Sequence, residues 1–340
     1  MEKNIKPRLI WIDIAKAIAI IMMVIGHEVA FGGRIRNFIF SFHMPLFFML
    51  TGYTMKKVNT WEQLVKQVKK DILRILVPCV VVQILNWVLN FIFFGGNLGE
   101  IVRKLIQQLV WASAVDVGEY PALGALWFLI VLFWAKLGIA IIDLFFKNSN
   151  KLIVCLFLSF SSIIISSYHW LPQSLDVALM AVLFLYAGRI IKEHYDMIEK
   201  YASYIMSMAF VIWMWCWQNN LYVEMGTRSY PAYPLCVIEA ICGCLCVIYL
   251  SVCFEKIWIS KAIIAPIGKS SLIILCIHHL DWYFSGIWNT YGTVIRCVLR
   301  VGFDLTVVFA LLGLKYGMSK IVSKRKINIY NININAKLPK

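Results

Sequence analysis

Apolar residues in this chain neither alternate nor form narrow amphipathic stripes; they come in long, nearly unbroken runs separated by short polar stretches. A helix that crosses a bilayer needs about 20 consecutive apolar residues. Runs of that kind lie at 10–31, 38–55, 72–94, 125–146, 152–170, 175–191, 203–217, 234–254, 267–285 and 294–314. The pattern predicts an all-α, polytopic membrane bundle of about ten transmembrane helices over residues 1–319. The connections are short, except for 95–124, where 101–114 has the pattern of an amphipathic helix lying in the membrane interface. The tail, 320–340, is basic and rich in Asn and Ile and reads as a frayed cytoplasmic end without chemistry of its own.

Composition strengthens this picture. Of 340 residues, 61% are hydrophobic and 15% charged, and the mean hydropathy is +0.76. Soluble domains average about 45–50% apolar and about 25% charged residues, so a soluble enzyme, a nucleic-acid binder and a disordered scaffold all fit poorly. The ten cysteines form no CxxC pair and have no metal-ligand spacing; most sit inside apolar runs as small packing residues. No metal is expected.

The net charge of +15 changes the picture only through its distribution. With the N-terminus in the cytoplasm, 24 of the 33 Lys and Arg residues fall on the inner side, among them Lys3, Lys6, Arg8 and the 56–74 cluster. Five fall outside: Arg34, Arg36, Arg103, Lys104 and Arg228. This asymmetry places both termini in the cytoplasm of a multi-pass cell-membrane protein and accounts for the basic excess without nucleic acid. The first run carries Asp13 and Lys16 and is too long for a cleaved signal segment.

Charged and polar groups inside spans are costly, so those that persist point to partners or tasks. Asp13, Lys16 and His27 share one helical stripe, because eleven residues return nearly to the starting direction. Lys16 and His27 then stand about 16 Å apart along the axis. An Asp13–Lys16 ion pair is the structural alternative for the first two. His43 and the His278–His279 pair fall at a similar depth to His27, in the outer third, where imidazole suits a general base for a hydroxyl. Arg296, Arg300 and Asp304 have the spacing of an intrahelical ladder, and Lys136 and Glu239 have no partner in sequence. Tyr120, Trp282, Tyr283, Trp288 and Tyr291 read as an interfacial aromatic belt.

Several of these residues occur in motifs. Asp13-Ile-Ala-Lys16 leading to Gly26-His27 resembles the opening motif of the membrane acyltransferase-3 family, a basic residue, ten residues, then His, with Lys where many members have Arg. His43-Met-Pro-Leu-Phe-Phe-Met-Leu-Thr-Gly-Tyr53 resembles its second-span motif, with Thr51 for the commoner Ser, and leans toward the sugar O-acetylase branch that includes fucose 4-O-acetylase-like proteins. Arg74-Ile-Leu-Val-Pro78, Leu126-Trp127-Phe-Leu129 and Gly268-Lys-Ser-Ser271 followed by His278 are similar to three further stretches.

The resemblance implies acyl transfer, most simply of acetyl, from cytosolic acetyl-CoA (acyl-CoA) to a hydroxyl of an envelope glycan or lipid-linked sugar. By that resemblance His27 is the catalytic residue and Lys16 its basic partner, with Asp13, His43 and His278 in the same group. Arg74, Lys69 and Lys70 would meet the CoA phosphates, and Trp127 and Glu119 the acceptor. No tightly bound cofactor is implied. Lys for Arg at position 16 replaces a guanidinium fork with a point charge. The rival reading is a carrier or flippase for an amino acid, sugar or lipid-linked intermediate. Against it stand the absence of paired Gly/Pro-broken segments and the placing of the histidines near one face.

Overall fold

The computed structural model describes residues 8–30 and 32–335, with side chains up to residue 316. Helices account for nearly all of it: α1 (Ile10–Glu28), α2 (Arg34–Thr54), α3 (Trp61–Asp71), α4 (Val77–Phe94), α5 (Leu98–Trp111), α6 (Trp127–Phe145) and α7 (Asn148–Tyr168). They continue with α8 (Leu175–Glu193), α9 (Tyr195–Lys200), α10 (Ala202–Gln218), α11 (Leu235–Glu255), α12 (Ala265–Lys269), α13 (Ser271–Leu280) and α14 (Thr293–Asn335). Among the described residues there is no sheet, only the isolated bridges Val117–Tyr120 and Glu224–Ser229.

Seven helical stretches are long and apolar enough to cross a membrane, and the bent pair 260–269 and 271–287 makes an eighth. The expectation of ten is therefore met only in part. Each remaining run is a helix, but α2 carries Arg34, Arg36, Asn37, His43 and Pro45, and α10 has only 17 residues. The polarity of α2 has a physical reason: its polar side chains face protein rather than lipid, with Arg36, Asn37, Ser41 and His43 all buried.

α1 is the axis of the bundle, in contact with α2, α11, α12, α13 and α14. α2 packs in turn on α8, and α8 on α6 and α7. The α2–α8 crossing is backbone to backbone. A methyl on Gly52 would stand 1.9 Å from the Leu185 carbonyl oxygen, and one on Gly188 equally close to that of Met49. Small residues at such crossings let helices approach where no hydrophobic force drives them together.

Helix breaks have local causes. Thr60 caps α3 by accepting from the Gln63 amide, while the Gln63 side chain accepts from the Asn59 amide, a reciprocal cap. A π turn, Ile72–Leu76, joins α3 to α4 just ahead of Pro78. Between α12 and α13 the axis bends by 61° at Ser270. α5 forms a helix where an amphipathic one was expected, at Leu98–Trp111 rather than 101–114: Leu98, Val102, Ile106 and Val110 are exposed, and Gln108 is buried because it bonds Gln83 and Trp87.

The tail was expected to fray, yet the α14 backbone continues as helix to Asn335; residues 336–340, like Lys3, Lys6 and Phe31, lie outside the described residues.

Candidate active site

The bundle encloses a cavity of about 680 Å³ that runs along α1. Lys16, Thr51, Arg74 and Ser271 line one end, His27, His43 and His278 the middle, and Arg36, Gln108 and Glu224 the other end. The helical stripe inferred for α1 is thus a wall of one chamber, holding Lys16 and His27 but not Asp13, which points away to pair with Arg8 at 2.6 and 2.7 Å. The Asp13–Lys16 alternative fails for that reason. Lys16 and Arg74 have no ion-pair partner among the described residues.

The histidines converge. The His27 ring is exposed to the cavity and lies 5.2 Å, centroid to centroid, from the ring of His278. Phe40 sits edge-on between His27 (5.7 Å) and His43 (4.6 Å). His43 is buried, with Nδ1 3.0 Å from the Ile39 carbonyl. His278 and His279, equivalent in sequence chemistry, separate cleanly here: His278 faces His27, while His279 Nε2 meets the Gln83 amide oxygen at 2.9 Å.

Behind His278 lies a charge cluster that local spacing misassigned. Arg300 does not ladder along α14. It forks onto Asp281 at 2.5 Å twice and reaches Glu28 at 2.6 Å, and Arg296 is 3.4 Å from Glu28. Asp304, expected in the same ladder, turns toward His278 Nδ1 at 3.3 Å, beside Asp281 at 3.2 Å. The ligand atoms of His278, Asp281 and Asp304 all lie within 4.8 Å of one another, so among the described residues this is the grouping that could hold a cation. The Arg300 guanidinium already supplies positive charge to it.

The remaining predicted residues divide. Arg74 and Trp127 line the cavity. Lys69 and Lys70 do not: they are exposed on α3, and the π turn separates their register from that of Arg74. Glu119 is also away from the chamber, in a shallow surface pocket with Arg103, Lys104 and Asp116. Lys136 has its partner, Asp71, at 2.5 Å, and Glu239 is buried without an ion pair among the described residues. Trp288 is no part of an aromatic belt, being 1% exposed and packed on Phe303, whereas Trp282 reaches the cavity.

Sequence reasoning missed the far wall. Arg36 donates to both oxygens of Glu224, at 2.7 and 3.2 Å, and both residues are buried. Glu224 belongs to a loop pinned by Arg228, which bonds to Asp176, Ser113 and Ser174 and stacks over Trp170 at 3.9 Å. The available signal was Arg36 itself, a charge three residues into a helix that also carries His43.

Residues 9–315 match the model of the acyltransferase-3 family, described as an acyltransferase domain. The chain is similar to the O-acetyl transferase of Shigella phage Sf6, 26% identical over 197 residues that cover 52% of this chain and 58% of that relative. The chain thus spans little more than half the length of the curated relative it matches. No solved structure matches it.

Proposed function

The chain belongs to the acyltransferase-3 family, and from that premise we propose that it transfers an acyl group, acetyl in the simplest case, from cytosolic acyl-CoA to a hydroxyl of an envelope glycan or lipid-linked sugar. In this reading the chain crosses the cell membrane ten times with both termini in the cytoplasm, and the His43-bearing motif favours the sugar O-acetylating branch. The observation that carries the proposal is the single chamber with two unpaired cations, Lys16 and Arg74, at one end and the His27–His278 pair at its centre.

Lys16 and Arg74 attract the phosphates of CoA, and the pantetheine arm extends along α1 toward His27. The distance suits it, since eleven helical residues span about 16 Å. His27 takes the proton of the acceptor hydroxyl as the oxygen attacks the thioester carbonyl. The carbon–sulfur bond breaks, and the same proton passes to the departing thiolate, giving the acyl ester and free CoA. His27 suits a base because neither ring nitrogen is committed to a hydrogen bond among the described residues. Shared side chains from α1, α2 and α13 hold the reacting groups in one geometry, which is where much of the rate enhancement of such a site originates.

The test is release of free CoA from acetyl-CoA by the chain in nanodiscs, with an envelope-glycan extract, wild type beside His27→Ala. Glycan-stimulated release by the wild type, reduced about 10²–10⁴-fold in a folded His27→Ala, is expected. Retention of more than a few per cent of turnover by that variant removes His27 from its role. Absence of release from both, with transport of a sugar or lipid-linked intermediate, would establish the carrier instead.

A further inference from the structure

The two ends of the chamber differ in charge. At one end Lys16 and Arg74 stand unpaired; at the other the cation and anion, Arg36 and Glu224, neutralise each other. The chamber's uncharged polar lining includes Asn86, Thr227 and Gln108, whose Oε1 already accepts from Trp87 and Gln83 and which therefore offers an N–H; Arg300, also in the lining, is committed to Asp281 and Glu28.

This wall is built rather than incidental. Arg36 lies over Phe40 at 3.8 Å, and Phe40 touches both His27 and His43, so the ion pair stands one ring away from the histidines. Glu224 is fixed from behind: its backbone exchanges two 3.0 Å hydrogen bonds with Ser229, next to the anchored Arg228. Gln108 is held by the Trp87 indole at 2.7 Å and by the Ala122 carbonyl at 2.8 Å. Asn86 accepts from the Trp282 indole at 3.3 Å. A buried ion pair is a poor source of stability, because desolvation offsets its attraction, so its place in a cavity wall points to recognition.

Resting on the acyl-transfer reading, we propose that Arg36 and Glu224, with Gln108 and Asn86, form the acceptor subsite, and that it takes an uncharged, hydroxyl-rich sugar and discriminates against acidic ones. Each hydroxyl of a neutral sugar both donates and accepts, so it can bridge guanidinium, carboxylate and amide together. A uronate carboxylate entering the same space meets the Glu224 carboxylate, and a like charge in a desolvated site is costly. Trp127 and Phe40 supply apolar faces for the sugar ring.

The experiment uses the full chain in nanodiscs with acetyl-CoA and two matched acceptor sets: oligosaccharides ending in a neutral hexose, and the same oligosaccharides with that hexose oxidised to a uronic acid. The wild type should acetylate the neutral set at least about 10-fold better in kcat/KM. Glu224→Gln should raise the KM for the neutral set about 10-fold and bring the two sets to near parity, while the KM for acetyl-CoA moves less than twofold. The charge-swapped double variant Arg36→Glu/Glu224→Arg keeps the pair and should regain part of the neutral preference. A wild type that prefers uronate ends overturns the proposal, as does a folded Glu224→Gln with unaltered acceptor KM and preference. If Glu224→Gln does not fold, the wild-type ratio decides alone. Acetyl-CoA hydrolysis with neither set acetylated overturns the subsite and leaves donor chemistry standing; no turnover of acetyl-CoA under any condition overturns the acyl-transfer reading and the subsite with it.

Discussion

Gly268 governs how closely α12 approaches α1, and replacing it with Ala tests whether the chamber depends on that approach. A methyl at this position would stand 1.7 Å from the Asp13 carbonyl oxygen and 2.6 Å from its carbon. Contacts of a Cβ below 3.0 Å essentially do not occur, so the two backbones must part by at least about 1.3 Å. The obstructing atoms are main chain and cannot rotate away. Overpacking typically costs about 1–3 kcal/mol, and this case belongs at the upper end. The displaced turn of α1 carries Asp13 and leads directly to Lys16, and a misplacement of 1 Å can cost on the order of 10²-fold in rate. Gly268→Ala should therefore remain folded, with a lower Tm in detergent followed by tryptophan fluorescence, and lose about 100-fold in CoA release. Gly302→Ala is the control, because a methyl there meets nothing within 4 Å. Wild-type Tm and turnover in Gly268→Ala would refute the argument that this crossing positions the α1 stripe.

Three further outcomes are expected. Lys16→Ala should raise the KM for acetyl-CoA about 10-fold or more and leave that for the acceptor within twofold; the reverse pattern would move Lys16 to the acceptor side. Lys136→Met strands the buried Asp71 without its cation and should lower stability by about 3–5 kcal/mol, whereas the double variant Asp71→Leu/Lys136→Met should recover most of it; equal Tm values for the single and double variants would show that the pair is not coupled. Arg228→Ala removes the bonds to Asp176, Ser113 and Ser174, so hydrogen exchange at 222–230 should accelerate at least about 10-fold, and unaltered exchange would mean that the loop is held by other contacts.

The bundle was legible in the sequence because lipid imposes a simple demand, long apolar runs, that needs no knowledge of which helix meets which. The α1 stripe was legible because helical periodicity relates Lys16 to His27 within one element. What could not be read were pairings between distant segments. Arg36 and Glu224 are 188 residues apart, Lys136 and Asp71 are 65, and Arg300 and Glu28 are 272. Local spacing offers only neighbours one turn away, which is why Arg296, Arg300 and Asp304 suggested a ladder on α14 when each is directed at another element. Lys69, Lys70 and Arg74 read as one phosphate-binding group for a related reason: the π turn that breaks their register leaves no periodic trace in the sequence. α2 shows the opposite limit. Its polar residues weakened its claim to be a span, and the same residues supply His43 and Arg36 to the chamber.

Four histidines line the chamber, chemically alike in sequence; His279 is held by Gln83, and partners distinguish the other three. A carbonyl oxygen only accepts, so the 3.0 Å contact between Ile39 and His43 Nδ1 places the hydrogen on Nδ1. In neutral His43 the remaining nitrogen, Nε2, then carries a lone pair. It can receive a hydrogen bond from a sugar hydroxyl neighbouring the one that is acylated, but has no proton to give to an oxyanion while it stays neutral. In the proposed reading His27, free at both nitrogens among the described residues, is the base, and His43 orients the acceptor by holding that neighbouring hydroxyl. His43→Met keeps a side chain of similar length and removes that hydrogen bond to the acceptor, which is worth about 0.5–1.5 kcal/mol, or roughly 2- to 13-fold. The loss should appear mainly in the acceptor KM, with the KM for acetyl-CoA unmoved. His27→Ala, by contrast, removes the proton acceptor and lowers kcat by about 10²–10⁴-fold. If His43→Met falls as far in kcat as His27→Ala, the assignments are reversed and His43 is the base.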